Sequence, residues 1–229
     1  MLKFKFLRQE ECDFIKDYIL ENEQKVKDLG PDEYEGTGDN SLSGRHGIFN
    51  WLNTSIGDIL IPKLRKTFIE LDLVFPVYVQ CWGNTFRNKE GIKPHPHNSL
   101  TEDGTPQHPD FICVHLFISG PTDVGTYYDF DKTFWEDFKD KRKSEESYQE
   151  MLNNINWTKH DNYPGEITLF DSMTAHYVPP NPNDEVRITL AMDIYDTAVL
   201  KDKKMNEELK QQILTNRDRY HVIWRNENE

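Results

Sequence analysis

An α+β fold, its β part built as a sandwich or jelly roll packed on helices, is predicted by three observations. Two stretches in the first third of the chain carry helical periodicity. Past residue 74 the pattern changes to short runs of β-branched and aromatic residues. Those runs are separated by turns rich in Pro, Asn and Gly. At 229 residues the chain is long enough for one large domain with a substantial core. It reads as a single domain over 1–229, with helical support over 1–72 and a β core over 74–196. A helical insertion falls near 131–158, and 201–229 form a polar C-terminal helix and tail.

The first predicted helix covers residues 8–26, where Cys12, Ile15, Tyr18 and Ile19 recur at helical spacing. Residues 28–50, rich in Gly, Asp, Asn and Ser, read as loop. From Ile56 to Leu71 the apolar positions Ile56, Ile59, Leu60, Leu64, Phe68 and Leu71 mark an amphipathic helix. Val74–Trp82 is β-branched and aromatic, which suits a strand. Phe111–Ser119 is a continuous apolar run, as expected of a strand buried on both faces. Gly125–Phe130 is a short strand. Residues 131–158 are charged and predicted helical, with Phe134, Trp135, Phe138, Tyr148, Met151 and Leu152 on the apolar side, an insertion or lid. Glu166–Ser172, His176–Pro180 and Val186–Tyr195 complete the β-rich half.

A net charge of −13 repels phosphate backbones, which makes nucleic acid an unfavoured partner. Three cysteines without CxxC spacing, Cys12, Cys81 and Cys113, fit reduced thiols better than a disulfide frame. The N-terminus carries no signal-like apolar run, and no stretch approaches the roughly 18–20 apolar residues of a membrane span. A soluble, cytoplasmic protein with no membrane partner is expected.

The chemistry concentrates on histidine. In "KPHPHNS", His95 and His97 stand one residue apart and each follows a proline. In extended backbone, residues i and i+2 share a face, and Pro94 and Pro96 hold the backbone extended. Two imidazoles held side by side suit Fe, Zn, Cu or Ni. Alone, the pair reads equally well as two solvated loop histidines. A third candidate is His176, in "SMTAHYVPPNPNDEVRITL". Arg187 follows across the "PPNPNDE" turn with Thr189 on the same strand face. An antiparallel hairpin would set that face beside His176. A guanidinium there offers a fork to a carboxylate, with a hydroxyl beside it. His46, His108, His115, His160 and His221 read as structural, and His115, inside an apolar strand, as a hydrogen-bonded core residue.

The parts "PHPHNS", "FICVHLFISG", "GTYYDF" and "PGEITLFDSMTAHYVPPNPNDEVRITLAMDIY" together resemble the Fe(II)/2-oxoglutarate-dependent dioxygenases, in their prolyl-4-hydroxylase-like branch. That family carries an H-x-(D/E) pair, then a distal His, then an Arg followed by x-Ser/Thr. The match covers about residues 74–196, and the helix at 8–26 is similar to the family's N-terminal helix. The resemblance implies a double-stranded β-helix (jelly roll) with N-terminal supporting helices. It also implies Fe(II) and 2-oxoglutarate as cofactors. His95 matches the first metal ligand and His176 the distal one. Arg187 matches the partner of the far carboxylate of 2-oxoglutarate, with Thr189 beside it, and Asn84 stands where the family places a polar side chain near the cosubstrate.

One departure matters. Position 97 should be acidic and is histidine. Either His97 completes a three-histidine site, or a carboxylate comes from Asp103 or Asp110, or oxidation has been lost. Spacing and direction favour His97. The resemblance implies consumption of O₂, release of succinate and CO₂, and hydroxylation of a small-molecule or peptide substrate, peptidyl proline or an amino acid among them. Phe134, Trp135 and Phe138 are lid candidates, and Trp82, Tyr127 and Tyr128 candidate pocket walls. Two rival readings share the same residues: a three-histidine iron dioxygenase without 2-oxoglutarate, and a non-catalytic jelly-roll module binding a metal or ligand.

Overall fold

The structure, a computed structural model, describes residues 1–30, 42–98, 101, 106–132, 134 and 153–226. It opens with strand β1 (Leu2–Lys5) and helix α1 (Gln9–Lys27). Two short 3-10 turns (Leu42–Arg45 and Trp51–Asn53) lead to α2 (Ser55–Glu70). Then come β2 (Val77–Phe86), β3 (Ile92–His95), β4 (Ile112–Ser119), β5 (Thr126–Asp129) and β6 (Thr158–His160). The chain continues through β7 (Glu166–Asp171), β8 (Ala175–Val178), β9 (Arg187–Tyr195), α3 (Thr197–Lys201), α4 (Glu207–Thr215) and β10 (His221–Ile223). A six-stranded sheet has the order β1-β7-β4-β9-β2-β10 and a four-stranded sheet the order β3-β8-β5-β6. Every ladder between these strands is antiparallel. The α+β jelly roll expected from the sequence is the fold observed.

Both long helices form where the 3.6-residue period places them. In α1, Cys12, Ile15, Ile19 and Val26 are buried, and the Glu11 carboxylate accepts the Arg8 backbone N–H at its start (2.8 Å). In α2, Ile56, Leu60, Leu64 and Phe68 are buried one turn apart, and the Thr54 hydroxyl accepts the Ile56 N–H. Their apolar stripes pack on the outer face of the large sheet, against Val77, Val79 and Cys81 of β2, Val114, Leu116 and Ile118 of β4, and Ile188, Leu190, Met192 and Ile194 of β9.

Strand alternation then puts the remaining residues on the inner face. On β9 these are Arg187, Thr189, Ala191, Asp193 and Tyr195. The ladders set them beside Phe86, Asn84, Trp82, Gln80 and Tyr78 of β2 in turn, and set Ala191 and Asp193 beside His115 and Cys113 of β4. The strand therefore has two different faces. One is greasy and covered by helices; the other carries a guanidinium, hydroxyls and a carboxylate toward the small sheet.

Three expectations need correction. β8 and β9 do not form a hairpin, because β8 lies in the small sheet and β9 in the large one. The "PPNPNDE" connection crosses between sheets. Its buried Asn181 donates to the Phe86 carbonyl at the end of β2 (3.1 Å) and to the Glu185 carbonyl (2.7 Å), which ties the connection to β2. The C-terminal segment is more than a helix and tail, since β10 joins the large sheet at β2. Tyr127 is not a pocket wall: it stacks on Tyr177 (ring centroids 4.8 Å apart), on the face of β5 opposite Thr126 and Tyr128. Most of the predicted helical insertion, with Trp135, Phe138, Tyr148, Met151 and Leu152, lies outside the described residues; its end at 158–160 is a strand. Phe134 is buried, with its N–H donating to Asp129. The three cysteines are free and buried, as expected.

Candidate active site

His95 ends β3 and lies opposite His176 of β8 in the ladder. His97 follows just past the strand, where its backbone N–H and that of Asn98 both donate to the Ser172 carbonyl (3.1 and 2.9 Å). The buried Asn98 amide bonds the His108 carbonyl and so closes the loop. Two stiff X-Pro steps and this anchor hold the three imidazoles together. His95 and His97 are near-parallel, 5.6 Å between centroids, and His176 stands 4.5 Å from His95 and 5.0 Å from His97. One nitrogen from each lies within 4.8 Å of the other two.

Each ring is oriented through its second nitrogen. His95 Nδ1 lies 2.8 Å from the Lys93 carbonyl oxygen, His176 Nδ1 3.1 Å from that of Thr174, and His97 Nδ1 2.5 Å from Asp193 Oδ1. A carbonyl or carboxylate oxygen can only accept, so Nδ1 carries a proton in each ring, which in a neutral imidazole leaves Nε2 as the lone-pair donor. Burial, then the neighbouring His97, lowers His95 to about 4, and burial first holds His176 well below the ordinary imidazole range. These two rings are therefore neutral donors at physiological pH. Three imidazole lone pairs converging from one side suit a first-row divalent metal and leave further coordination positions open.

The same cavity reaches from the histidines to Arg187. Arg187 is 1 % exposed. Its Nη2 donates to the Thr126 hydroxyl (3.1 Å), while Nε and Nη1 have no hydrogen-bond partner among the described residues. Phe86 and Phe117 flank the guanidinium at 5.9 and 5.5 Å. Burial lowers Arg187 to about 10, with Tyr128 acting in the opposite sense, so it remains a cation at neutral pH. A buried cation with two unused N–H groups is costly unless an anion completes it. Asn84 donates to the Thr189 hydroxyl (3.1 Å) on the wall of the same cavity. Gly120, at φ +123°, lets the chain pass Arg187: a Cβ there would lie 2.6 Å from the Arg187 Cα.

His95, His97, His176, Arg187, Thr189 and Asn84 thus come to one cavity, though Arg187 arrives from the facing sheet and not from a neighbouring strand. Asp110 does not join them; the Ser172 hydroxyl donates to its carboxylate (3.3 Å). Asp103 lies outside the described residues. His115 keeps its structural partner, the Tyr128 hydroxyl (2.9 Å), yet its ring lines the cavity 4.6 Å from His176. The contribution of Asp193 was missed. The available signal was an acid sharing a strand face with Arg187 and Thr189, opposite the apolar Ile188, Leu190, Met192 and Ile194. A second, outer cavity of about 530 Å³ shares Trp82, Ile92, His95 and His97 with the first, so the histidines stand between the two.

Residues 80–193 match the family described as "Putative 2OG-Fe(II) oxygenase". No curated protein sequence matches the chain. Among solved structures, a viral collagen prolyl hydroxylase from Paramecium Bursaria Chlorella virus-1, in complex with 2OG, superposes with a TM-score of 0.52. The identity is 13 %, over 84 % of this chain and 94 % of that one. HygX from Streptomyces hygroscopicus, with nickel and 2-oxoglutarate bound, gives 0.56 at 10 % identity, over 86 % and 82 %. The carbocyclase SnoK of nogalamycin biosynthesis gives 0.55 at 12 % identity, over 85 % and 79 %. At these identities the likeness is one of fold.

Proposed function

Residues 80–193 make this chain a member of the 2OG-Fe(II) oxygenase family, and from that premise we propose that it is a hydroxylase whose metal is held by His95, His97 and His176. Members of the family are 2-oxoglutarate-dependent oxygenases, and Fe(II) and 2-oxoglutarate are the cofactors here. The residues present fit both. One nitrogen from each of the three imidazoles lies within 4.8 Å of the other two, and the unpartnered Nε and Nη1 of Arg187 are available to an anion in the same cavity.

The bound iron and 2-oxoglutarate would supply the oxidising power, by decarboxylation of the cosubstrate to succinate and CO₂ at the expense of O₂. The chain's own part is placement. His95, His97 and His176 would hold the metal through one nitrogen each, and three protein ligands would leave positions for cosubstrate and O₂. Arg187, whose Nε and Nη1 are unpartnered among the described residues, supplies the cation for the far carboxylate, with the Thr189 hydroxyl, oriented by Asn84, beside it. Phe86 and Phe117 keep water from that ion pair, which strengthens it. The outer cavity, walled by His46, Trp82, Ile92 and Pro96, is the side from which substrate reaches the histidines. The substrate is a small molecule or a peptide.

The orphaned Arg187 N–H groups carry this reading. They also weigh against a three-histidine dioxygenase without 2-oxoglutarate, which has no use for a buried cation there. The test is anaerobic addition of Fe(II) and then 2-oxoglutarate. A visible charge-transfer absorption should grow with 2-oxoglutarate in the wild type and vanish in His176→Ala. Succinate release, screened over peptides and free amino acids, then identifies the substrate. No absorption and no succinate from iron-loaded protein would sink the proposal.

A further inference from the structure

The position that the family gives to an acidic ligand is His97 here, so the three candidate ligands carry no negative charge. Asp193 stands directly behind His97. Its Oδ1 accepts from His97 Nδ1 at 2.5 Å and from the Cys113 thiol at 3.4 Å. Burial first, and then Asp193 itself, pushes the Cys113 thiol well above its ordinary range, so it stays S–H and remains a donor. Asp193 is 9 % exposed and sits on the inner face of β9, two residues past Ala191. The small Ala191 side chain lies between Trp82 and His115 in the ladder and lines the cavity.

We propose that Asp193 is a positioning residue that aims His97 Nε2 at the metal and supplies, one hydrogen bond further out, the negative charge that the ligand set lacks. The inference rests on reading His95, His97 and His176 as the metal site. Two effects follow from one contact. The carboxylate fixes which nitrogen of His97 is protonated and holds the ring plane. It also makes the imidazole a stronger donor, as outer carboxylates do for metal-bound histidines. Counting charges, a divalent ion, the 2-oxoglutarate dianion, Arg187 and Asp193 sum to zero. Two histidines plus one carboxylate ligand would give the same sum. The competing account is that Asp193 only satisfies two buried donors.

Asp193→Asn separates the two accounts. Its amide oxygen can still accept from His97 and Cys113, so the fold contacts persist and only the charge goes. Mn(II) and Co(II) affinity would be measured under argon by competition with a chromophoric chelator, alongside the midpoint potential of the iron-loaded protein. We expect metal affinity to fall about 10- to 100-fold, the potential to rise, and Asp193→Glu to recover part of the affinity. Binding in Asp193→Asn within twofold of wild type, at an unchanged potential, overturns the inference. Should the variant fail to fold, nitrogen NMR of wild-type apoprotein decides: His97 protonated at Nδ1 supports the proposal, and at Nε2 overturns it. His176→Ala is the control. If wild type binds no metal, or His176→Ala binds as wild type does, the metal-site reading falls and takes this inference with it. A metal lost in His176→Ala but kept in Asp193→Asn removes only the role of Asp193.

Discussion

In the function proposed above, Arg187 serves the cosubstrate and not the metal, so it separates the two halves of the site. Truncating one member of a buried charged pair costs about 2–5 kcal/mol. Arg187→Gln should therefore weaken 2-oxoglutarate binding by about 30-fold or more while leaving Mn(II) affinity within a few-fold of wild type. Calorimetry on the metal-loaded protein reads both. A parallel loss of metal affinity would show that Arg187 acts on the fold instead. The pH dependence follows from the same residue. Burial lowers Arg187 to about 10, so its cation is complete below that value and is lost as pH rises through it. Cosubstrate affinity should be level from pH 7 to 9 on this account and decline above about 10.

At the scale of elements, α1 is latched to the end of β2 by Glu23. Its carboxylate meets both terminal nitrogens of Arg87 (2.6 and 3.0 Å), the Thr85 hydroxyl (2.8 Å) and Lys27 (2.9 Å). Burial alone would raise Glu23, but the Arg87, Lys27 and Thr85 donors outweigh it and hold the carboxyl at about 2. A depressed carboxyl stabilises the fold above its unfolded value of about 4.3, and that contribution drains away as pH falls toward 2. Glu23→Gln should cost about 2 kcal/mol at pH 7, less than the 3–5 kcal/mol of a fully buried pair because Arg87 stays partly exposed. The deficit should shrink in denaturant melts between pH 4 and 2; a constant deficit would assign the loss to packing. The long elements were legible in the sequence because their own residues specify them. Cys12, Ile15 and Ile19 mark a helix without reference to anything else, and the apolar run of β4 likewise marks a strand. β1, β3 and β10 are only three or four residues each and exist by pairing with distant strands, so no local pattern announces them. His95, His176 and Arg187 were legible from motif spacing. Which sheet each belongs to was not, because Asn181 decides it through bonds to both Phe86 and Glu185. Asp193 escaped because its meaning depends on facing His97 across the cavity.

For the whole molecule, the consequence is that the site spans the two sheets. His95 and His176 belong to the small sheet, whereas Arg187 and Asp193 belong to the large one. A metal held by the first pair and a dicarboxylate held by Arg187 would link the sheets across the space between them. Ligands that bind only the folded chain stabilise it by mass action, about 2.7 kcal/mol at a hundred times Kd. For a chain of this size each kcal/mol raises Tm by about 2–4 °C, so saturating Mn(II) with 2-oxoglutarate should add about 5–10 °C. The increments should also be ordered. Mn(II) alone should stabilise wild type and Arg187→Gln alike. The further rise with 2-oxoglutarate should appear in wild type only, and His176→Ala should show neither. A rise from 2-oxoglutarate without metal that equals the rise with it would mean that the dicarboxylate binds independently of the histidines. The cavity would then be two sites rather than one.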